Sequence, residues 1–182
     1  MFLSDNDYFL KKELIKLFKI YSIEYGNFIM SSGAQSTIYF DTSHVVQTSY
    51  GMNMVGQLIS NMIIDIEKFK ECRIDALGAV PLNGIPIALA GTFISKCSTI
   101  IIDPDGYSYR GFKSIPKGNI IIIEDVLQSG ISVCKAIFNA QSFGYNVIAA
   151  ICLIDREENG IQKVFEETNK IVYPIIKKNE II

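Results

Sequence analysis

Residues 119–138 read NIIIIEDVLQSGISVCKAIF, and the four consecutive isoleucines restrict the fold more than any other stretch of the chain. In a strand, successive side chains point to opposite faces, so this run is apolar on both. A strand of an open antiparallel sheet keeps one face in water and alternates accordingly, whereas a strand of a parallel sheet is covered by helices on both sides. β-branched side chains also favour extended backbone over helix. The run therefore predicts a doubly buried strand over 119–125, ending in two carboxylates, Glu124 and Asp125, with a helix predicted over 130–144.

Other segments repeat the alternation. Strands are predicted at 74–80 (IDALGAV), 98–103 (STIIID), 146–154 (NVIAAICLI) and 170–176 (KIVYPII), with helices over 84–96 and about 160–169 between them. A helix over 50–68 places Val55, Leu58, Ile59, Met62, Ile63 and Ile66 on one face. A first amphipathic helix over 4–21 carries Phe9, Leu10, Leu14, Leu17, Phe18 and Tyr21 behind polar capping residues. Between them, NFIM and STIYFD flank SSGAQ, the pattern of a hairpin or bent strand pair. The predicted fold is α/β: one domain over 1–182, with a small N-terminal lobe over about 1–45 and a parallel-sheet core over about 46–182. Ligands in such folds bind at the carboxyl ends of the strands.

Charge narrows the ligand. The formal net charge is −2 and the 17 lysines and arginines form no basic block, which argues against a nucleic-acid partner. A phosphate ligand must be held locally. The start MFLSDNDYF lacks the basic and apolar regions of a signal peptide, and no segment approaches the roughly 20 apolar residues that span a bilayer, so no membrane partner and a cytoplasmic location are expected. Cys72, Cys97, Cys134 and Cys152 form no C-x-x-C pair and lie in or beside apolar segments, as buried small hydrophobes of a reducing compartment do. His44 belongs to no metal or triad pattern and reads as structural.

The loop EDVLQSGIS joins the buried strand to a helix. The free N–H groups of Gly130, Ile131 and Ser132 and the helix dipole make an anion site, to which Ser129 and Ser132 add hydroxyls. The pattern is neither a P-loop nor a dinucleotide fingerprint. In the dinucleotide fold the ribose-binding acid follows the glycines, whereas here both acids precede the loop. A phosphate at the helix start would have its own sugar lying back over the strand edge, with Glu124 and Asp125 accepting from ribose hydroxyls. A ribose 5-phosphate site is one reading; two acids ending a strand on a solvated rim is the other, and the serines and glycine at these offsets favour the first.

With these residues the chain resembles the type I phosphoribosyltransferases, and over nearly its whole length the orotate phosphoribosyltransferases. IIIIEDVLQSGIS fits their ribose-phosphate signature, FIMSSGAQSTIYFD their N-terminal substrate segment, GAVPLNGIPIALA their pyrophosphate loop and helix, and LIDREENG their orotate-binding turn. The resemblance implies the type I phosphoribosyltransferase fold and transfer of phosphoribosyl from phosphoribosyl pyrophosphate to orotate. It implies that Glu124, Asp125, Ser129, Gly130, Ile131 and Ser132 hold the ribose phosphate, that Leu82, Asn83 and Gly84 form the pyrophosphate loop, and that Ser36, Tyr39, Phe40 and Arg156 lie near the base. Asp125, Arg110 and Lys113 are the implied catalytic residues. Mg2+, bound mainly through phosphoribosyl pyrophosphate rather than by side chains, small-molecule nucleotide substrates and a homodimer are also implied. For Arg156 the chemistry agrees, because a guanidinium fork matches a planar carboxylate; the competing reading is a surface arginine paired with Glu157 or Glu158. Tyr39 and Phe40 alternate along a strand, so at most one faces a ligand.

Three departures bear on rate. Ser31 and Asn83 stand where these enzymes usually carry lysines, and 104–118 is too short for the usual mobile hood, leaving Arg110 and Lys113. An alternative from another class follows: a weakly active or non-catalytic relative that binds a nucleotide or a partner subunit. Each charge-assisted contact to a departing pyrophosphate contributes about 1.5–3 kcal/mol, so turnover below about one per second is expected. Steady-state loss of orotate absorbance with phosphoribosyl pyrophosphate and Mg2+ checks it; a faster rate would mean that other groups replace the lysines.

Overall fold

A computed structural model describes residues 4–29, 33, 35–104, 109–110 and 117–182, with only the backbone described at 109–110. Ser31 and Lys113 lie outside these residues, as does the side chain of Arg110.

Helix α1 (Asp5–Tyr21) opens on a capping box: Ser4 Oγ accepts from Asp7 N at 3.1 Å while Ser4 N donates to Asp7 Oδ2 at 3.0 Å. Strands β1 (Ile23–Ile29) and β2 (Gln35–Phe40) form an antiparallel pair, followed by the short α2 (Ser43–Val46) and the long α3 (Ser49–Lys70). Then come β3 (Ala76–Ala79), α4 (Gly84–Ser95), β4 (Ser98–Ile102), β5 (Tyr109–Arg110), β6 (Asn119–Leu127), α5 (Ile131–Ser142), β7 (Asn146–Asp155), α6 (Gly160–Thr168), β8 (Val172–Lys177) and α7 (Lys178–Ile181). The main sheet has the order β5-β4-β3-β6-β7-β8. Its pairings are parallel except at the edge, where β5 runs antiparallel to β4.

The sheet and its helices match the sequence expectation, with differences at the margins. β1 begins at Ile23, ahead of the predicted NFIM, because Ile23 pairs with Phe40 and Glu24 with Tyr39; the partner strand recruits a segment whose own preference is weak. β6 runs on to Leu127, since Val126 pairs with Ile154 and Leu127 with Asp155. The two acids therefore lie inside the strand's last pairs and not at its tip. The short α2, β5 and α7 carry too few residues for any periodic signal.

The isoleucines divide by parity. Ile121 and Ile123 point into a core with Leu77, Ala79, Ile59, Ile87 and Ala88, on the α3–α4 face. Ile120 and Ile122 point into a second core with Ile100, Ile102, Val133, Ala136 and Ile137, on the α5 face. All four are fully buried. Leu10, Leu14, Phe18 and Phe40 join the first core, so the N-terminal lobe and the sheet share apolar packing. Among the described residues no helix is long and apolar enough to cross a membrane. Ile122→Ala should lower unfolding free energy by about 2–5 kcal/mol in urea titrations, whereas Ile20→Ala on the exposed face of α1 should change it by no more than about 0.5 kcal/mol.

Candidate active site

In this strand order the connection after β3 leaves over one face of the sheet and that after β6 over the other, so a crevice opens between their carboxyl ends. The crevice is lined by Val80–Asn83 from the first connection, Glu124–Val126 from β6, Ser129, Ile131, Ser132 and Lys135 from the loop and start of α5, Tyr39 from the lobe, and Asp103 and Pro104 from the end of β4. Its continuation beneath β2 adds Phe40, Gln128, Gly130 and Arg156. Five stretches of sequence, from Tyr39 to Arg156, thus face one space.

The loop after β6 is shaped by close backbone approach. Gly130 has φ +76°, the left-handed region that glycine tolerates, and a Cβ there would lie 2.7 Å from Gly160 O. Reciprocally, a Cβ on Gly160 would lie 2.4 Å from Gln128 O, so the starts of α5 and α6 meet through glycine backbones. Gly130 is the N-cap of α5 and no side chain caps that helix, which leaves its first-turn N–H groups directed at the crevice. Ser129 is half-buried beside them, and Ile131 and Ser132 are exposed.

The two acids differ. Glu124 is 7% exposed, its Oε1 accepts from Asp125 N at 3.0 Å, and burial, then the adjacent Asp125 charge, push its carboxyl well above the usual range. Asp125 is half-buried, and its Oδ2 accepts from Asn83 Nδ2 at 3.0 Å and Thr42 Oγ1 at 3.3 Å. Asn83, in the pyrophosphate loop of the resemblance, thus ties that loop to β6; Leu82 is exposed, its peptide bond with Pro81 is cis, and Gly84 begins α4.

The residues that the resemblance puts near a base also converge. Arg156, at the end of β7, is 2% exposed, which rules out the surface-arginine reading, although its pairing with Glu158 at 3.0 Å is real. Its Nη2 donates to Ser36 Oγ at 2.9 Å across 120 positions, and its Cζ stands 5.9 Å from the centroid of Phe40. Phe40 is core, while Tyr39 is half-buried in the crevice; burial, then the charges of Asp41, Asp125 and Glu24, push the Tyr39 hydroxyl up. The backbone of Arg110 pairs with Ile101 at the sheet edge, and Lys113 falls outside the described residues.

Sequence reasoning passed over Thr42, Gln128 and Lys135 as participants and weighed Glu158 only as a surface partner. Their spacing carries no periodic or motif signal: Gln128 and Lys135 line the crevice from the loop after β6 and from α5, while the lobe brings Thr42 to Asp125 and the β7–α6 turn brings Glu158 to Arg156. His44 lies 3.5 Å from Asp41, and with Glu24 these three bring possible metal-ligand atoms within 4.8 Å of one another, but none of them lines the crevice.

No protein-family model matches the chain. It is 32% identical over 176 residues to the orotate phosphoribosyltransferase of Methanosphaera stadtmanae, covering 93% of this chain and 95% of that one. It is 26% identical over 185 residues to the orotate phosphoribosyltransferase of Aquifex aeolicus, covering 94% and 97%. The crystal structure of orotate phosphoribosyltransferase from Aeropyrum pernix shares the fold, with a TM-score of 0.76 at 22% identity over 92% of this chain and 96% of that one.

Burial of Glu124 gives a pH signature. Its folded proton affinity is raised, so it contributes stability fully present below its unfolded pKa, about 4.3, and lost as pH rises through the folded value. Glu124→Gln should therefore gain stability relative to the parent as pH rises from 4 to 8 in urea titrations. A parallel pair of pH profiles would mean that the carboxyl is not strained by burial.

Proposed function

This chain belongs to the orotate phosphoribosyltransferase family, and from that membership we propose that it transfers phosphoribosyl from phosphoribosyl pyrophosphate to orotate, giving orotidine monophosphate and pyrophosphate in pyrimidine nucleotide synthesis. The observation that carries the reading is the junction of two half-sites in one crevice: the loop from Asp125 to Ser132, and the buried Arg156 with Ser36. The first suits a ribose 5-phosphate, the second the carboxylate of a planar base. These relatives carry the transferase name, and none of the comparisons favours a non-catalytic partner subunit.

In this reaction the bond from the sugar's anomeric carbon to pyrophosphate breaks as the bond to the base nitrogen forms. Positive charge develops on the sugar and negative charge on the leaving group. Glu124 and Asp125 would accept from the ribose hydroxyls and hold the sugar beneath the base. The pyrophosphate would lie against the 81–84 loop and the start of α4, with Asn83 positioning Asp125 through the 3.0 Å contact. Arg110 and Lys113, on the segment after β4, remain the proposed cations for the leaving group.

The donors fit a substrate-borne Mg2+ better than a protein cage: of the three carboxylates lining the crevice, Glu124 is buried and favours its proton, Asp125 already accepts from Thr42 and Asn83, and Asp103 comes from a different strand end, after β4. Asp125 would hold the ion on the protein side, substrate oxygens supplying the rest. Bound there, Mg2+ neutralises charge on the pyrophosphate. A homodimer is part of the proposal, supported by the exposed apolar side chains of Leu82, Leu89 and Phe93 along the pyrophosphate loop and α4. A cytoplasmic location is supported by four free cysteines.

Arg156→Ala should weaken orotidine monophosphate by about tenfold or more in calorimetry while sparing uridine monophosphate, because a charged hydrogen bond contributes about 1.5–3 kcal/mol. Equal losses for both nucleotides would make Arg156 structural and remove the basis for choosing orotate.

A further inference from the structure

A guanidinium offers two donor edges, one through Nε and one Nη, the other through the two Nη groups. In this protein Glu158 fills the first edge of Arg156: its Oε1 accepts from Nε at 3.0 Å and lies 3.0 Å from Nη2. The second hydrogen of Nη2 turns to the other edge, where Ser36 Oγ accepts it at 2.9 Å. The remaining oxygen of Glu158, Oε2, accepts from Gln128 Nε2 at 2.9 Å. Gln128 immediately precedes Ser129 and Gly130, and its carbonyl forms part of the tight approach to Gly160. One carboxylate thus spans the arginine on the base side and the loop on the phosphate side.

We propose that Glu158 is the positioning residue that aims Arg156 at the carboxylate of the base and fixes that aim relative to the phosphate-binding loop. The inference rests on the orotate reading of the pocket. A buried guanidinium needs a counter-charge, and with Arg156 at 2% exposure Glu158 supplies it. The same contact fixes the rotation of the guanidinium plane, so the Nη edge beside Ser36 is presented to the incoming carboxylate. Arg156 N also donates to Leu127 O at 2.9 Å, anchoring the backbone from which the side chain extends. Because Glu158 holds the edge away from Ser36, a substrate carboxylate would exchange with Ser36 at the other edge and leave Glu158 in place.

Three variants test this in steady-state assays with orotate and phosphoribosyl pyrophosphate. Glu158→Ala should raise the KM for orotate about tenfold, leaving kcat and the KM for phosphoribosyl pyrophosphate within about twofold. Glu158→Gln should recover part of the loss, since its amide oxygen still accepts from Nε and Nη2 although it carries no counter-charge. Gln128→Ala, which leaves both charges in place and removes only the second anchor, should raise the orotate KM by less than Glu158→Ala; it carries the test if Glu158→Ala fails to fold. In calorimetry Glu158→Ala should weaken orotidine monophosphate and spare uridine monophosphate. An orotate KM that is unchanged or lowered in Glu158→Ala would overturn the proposal, the lowered value marking Glu158 as a competitor for the arginine. So would a Glu158→Gln variant as impaired as Glu158→Ala, or losses spread equally over both substrates. A wild-type protein that consumes no orotate overturns the proposed function itself, whereas an active wild type indifferent to Glu158→Ala overturns only the role of Glu158.

Discussion

Burial of β6 on both faces is the constraint from which the rest of the structure follows. Ile121 and Ile123 require cover from one side and Ile120 and Ile122 from the other, and only helices arriving on opposite faces satisfy both. Connections that diverge to reach those faces leave a crevice at the strand ends, between β3 and β6. The crevice is therefore a consequence of core packing. The same burial extends to Glu124, one residue beyond the last isoleucine, and raises its proton affinity. Core and site are thus continuous along one strand, and the polar chemistry begins where the apolar demand stops.

The other half of the site depends on a weaker element. A two-stranded ribbon such as β1–β2 is marginal in water by itself. Here Phe40, at its end, packs in the core with Phe18 and Leu14 of α1, and α1 is tied to α3 by Asn61 Nδ2 donating to Asp7 Oδ1 at 2.6 Å. That docking delivers Ser36 to Arg156 and, just beyond the ribbon, Thr42 to Asp125. The Ser36–Arg156 contact and the positioning of Asp125 are accordingly coupled to how firmly the lobe sits on the sheet. The β7–α6 turn contributes from the opposite side, with Glu157 and Asn159 both at positive φ around the Arg156–Glu158 pair.

The alternation of strands and helices, the doubly buried centre and the loop from Glu124 to Ser132 were legible in the amino-acid order, because each is written in local periodicity or in adjacent residues. A run of isoleucines has one low-energy environment wherever it occurs, and a glycine between serines before a helix makes an anion site with little help from elsewhere. The limits of β1 and β6 were not legible, since partner strands set them, and short elements such as α2, β5 and α7 contain hardly more than one period of any pattern.

What the sequence determined alone was therefore the sheet class, the placement of the crevice at strand ends and the residues of the loop from Glu124 to Ser132. Only tertiary structure decided that Arg156 is buried, that Ser36 and Glu158 are its partners on opposite sides, and that Asn83 and Thr42 converge on one oxygen of Asp125. The physical reason is range. Backbone preferences and hydrophobic period act over a few residues, whereas a guanidinium or carboxylate finds its partners across any chain separation that folding closes, here 120 residues between Ser36 and Arg156.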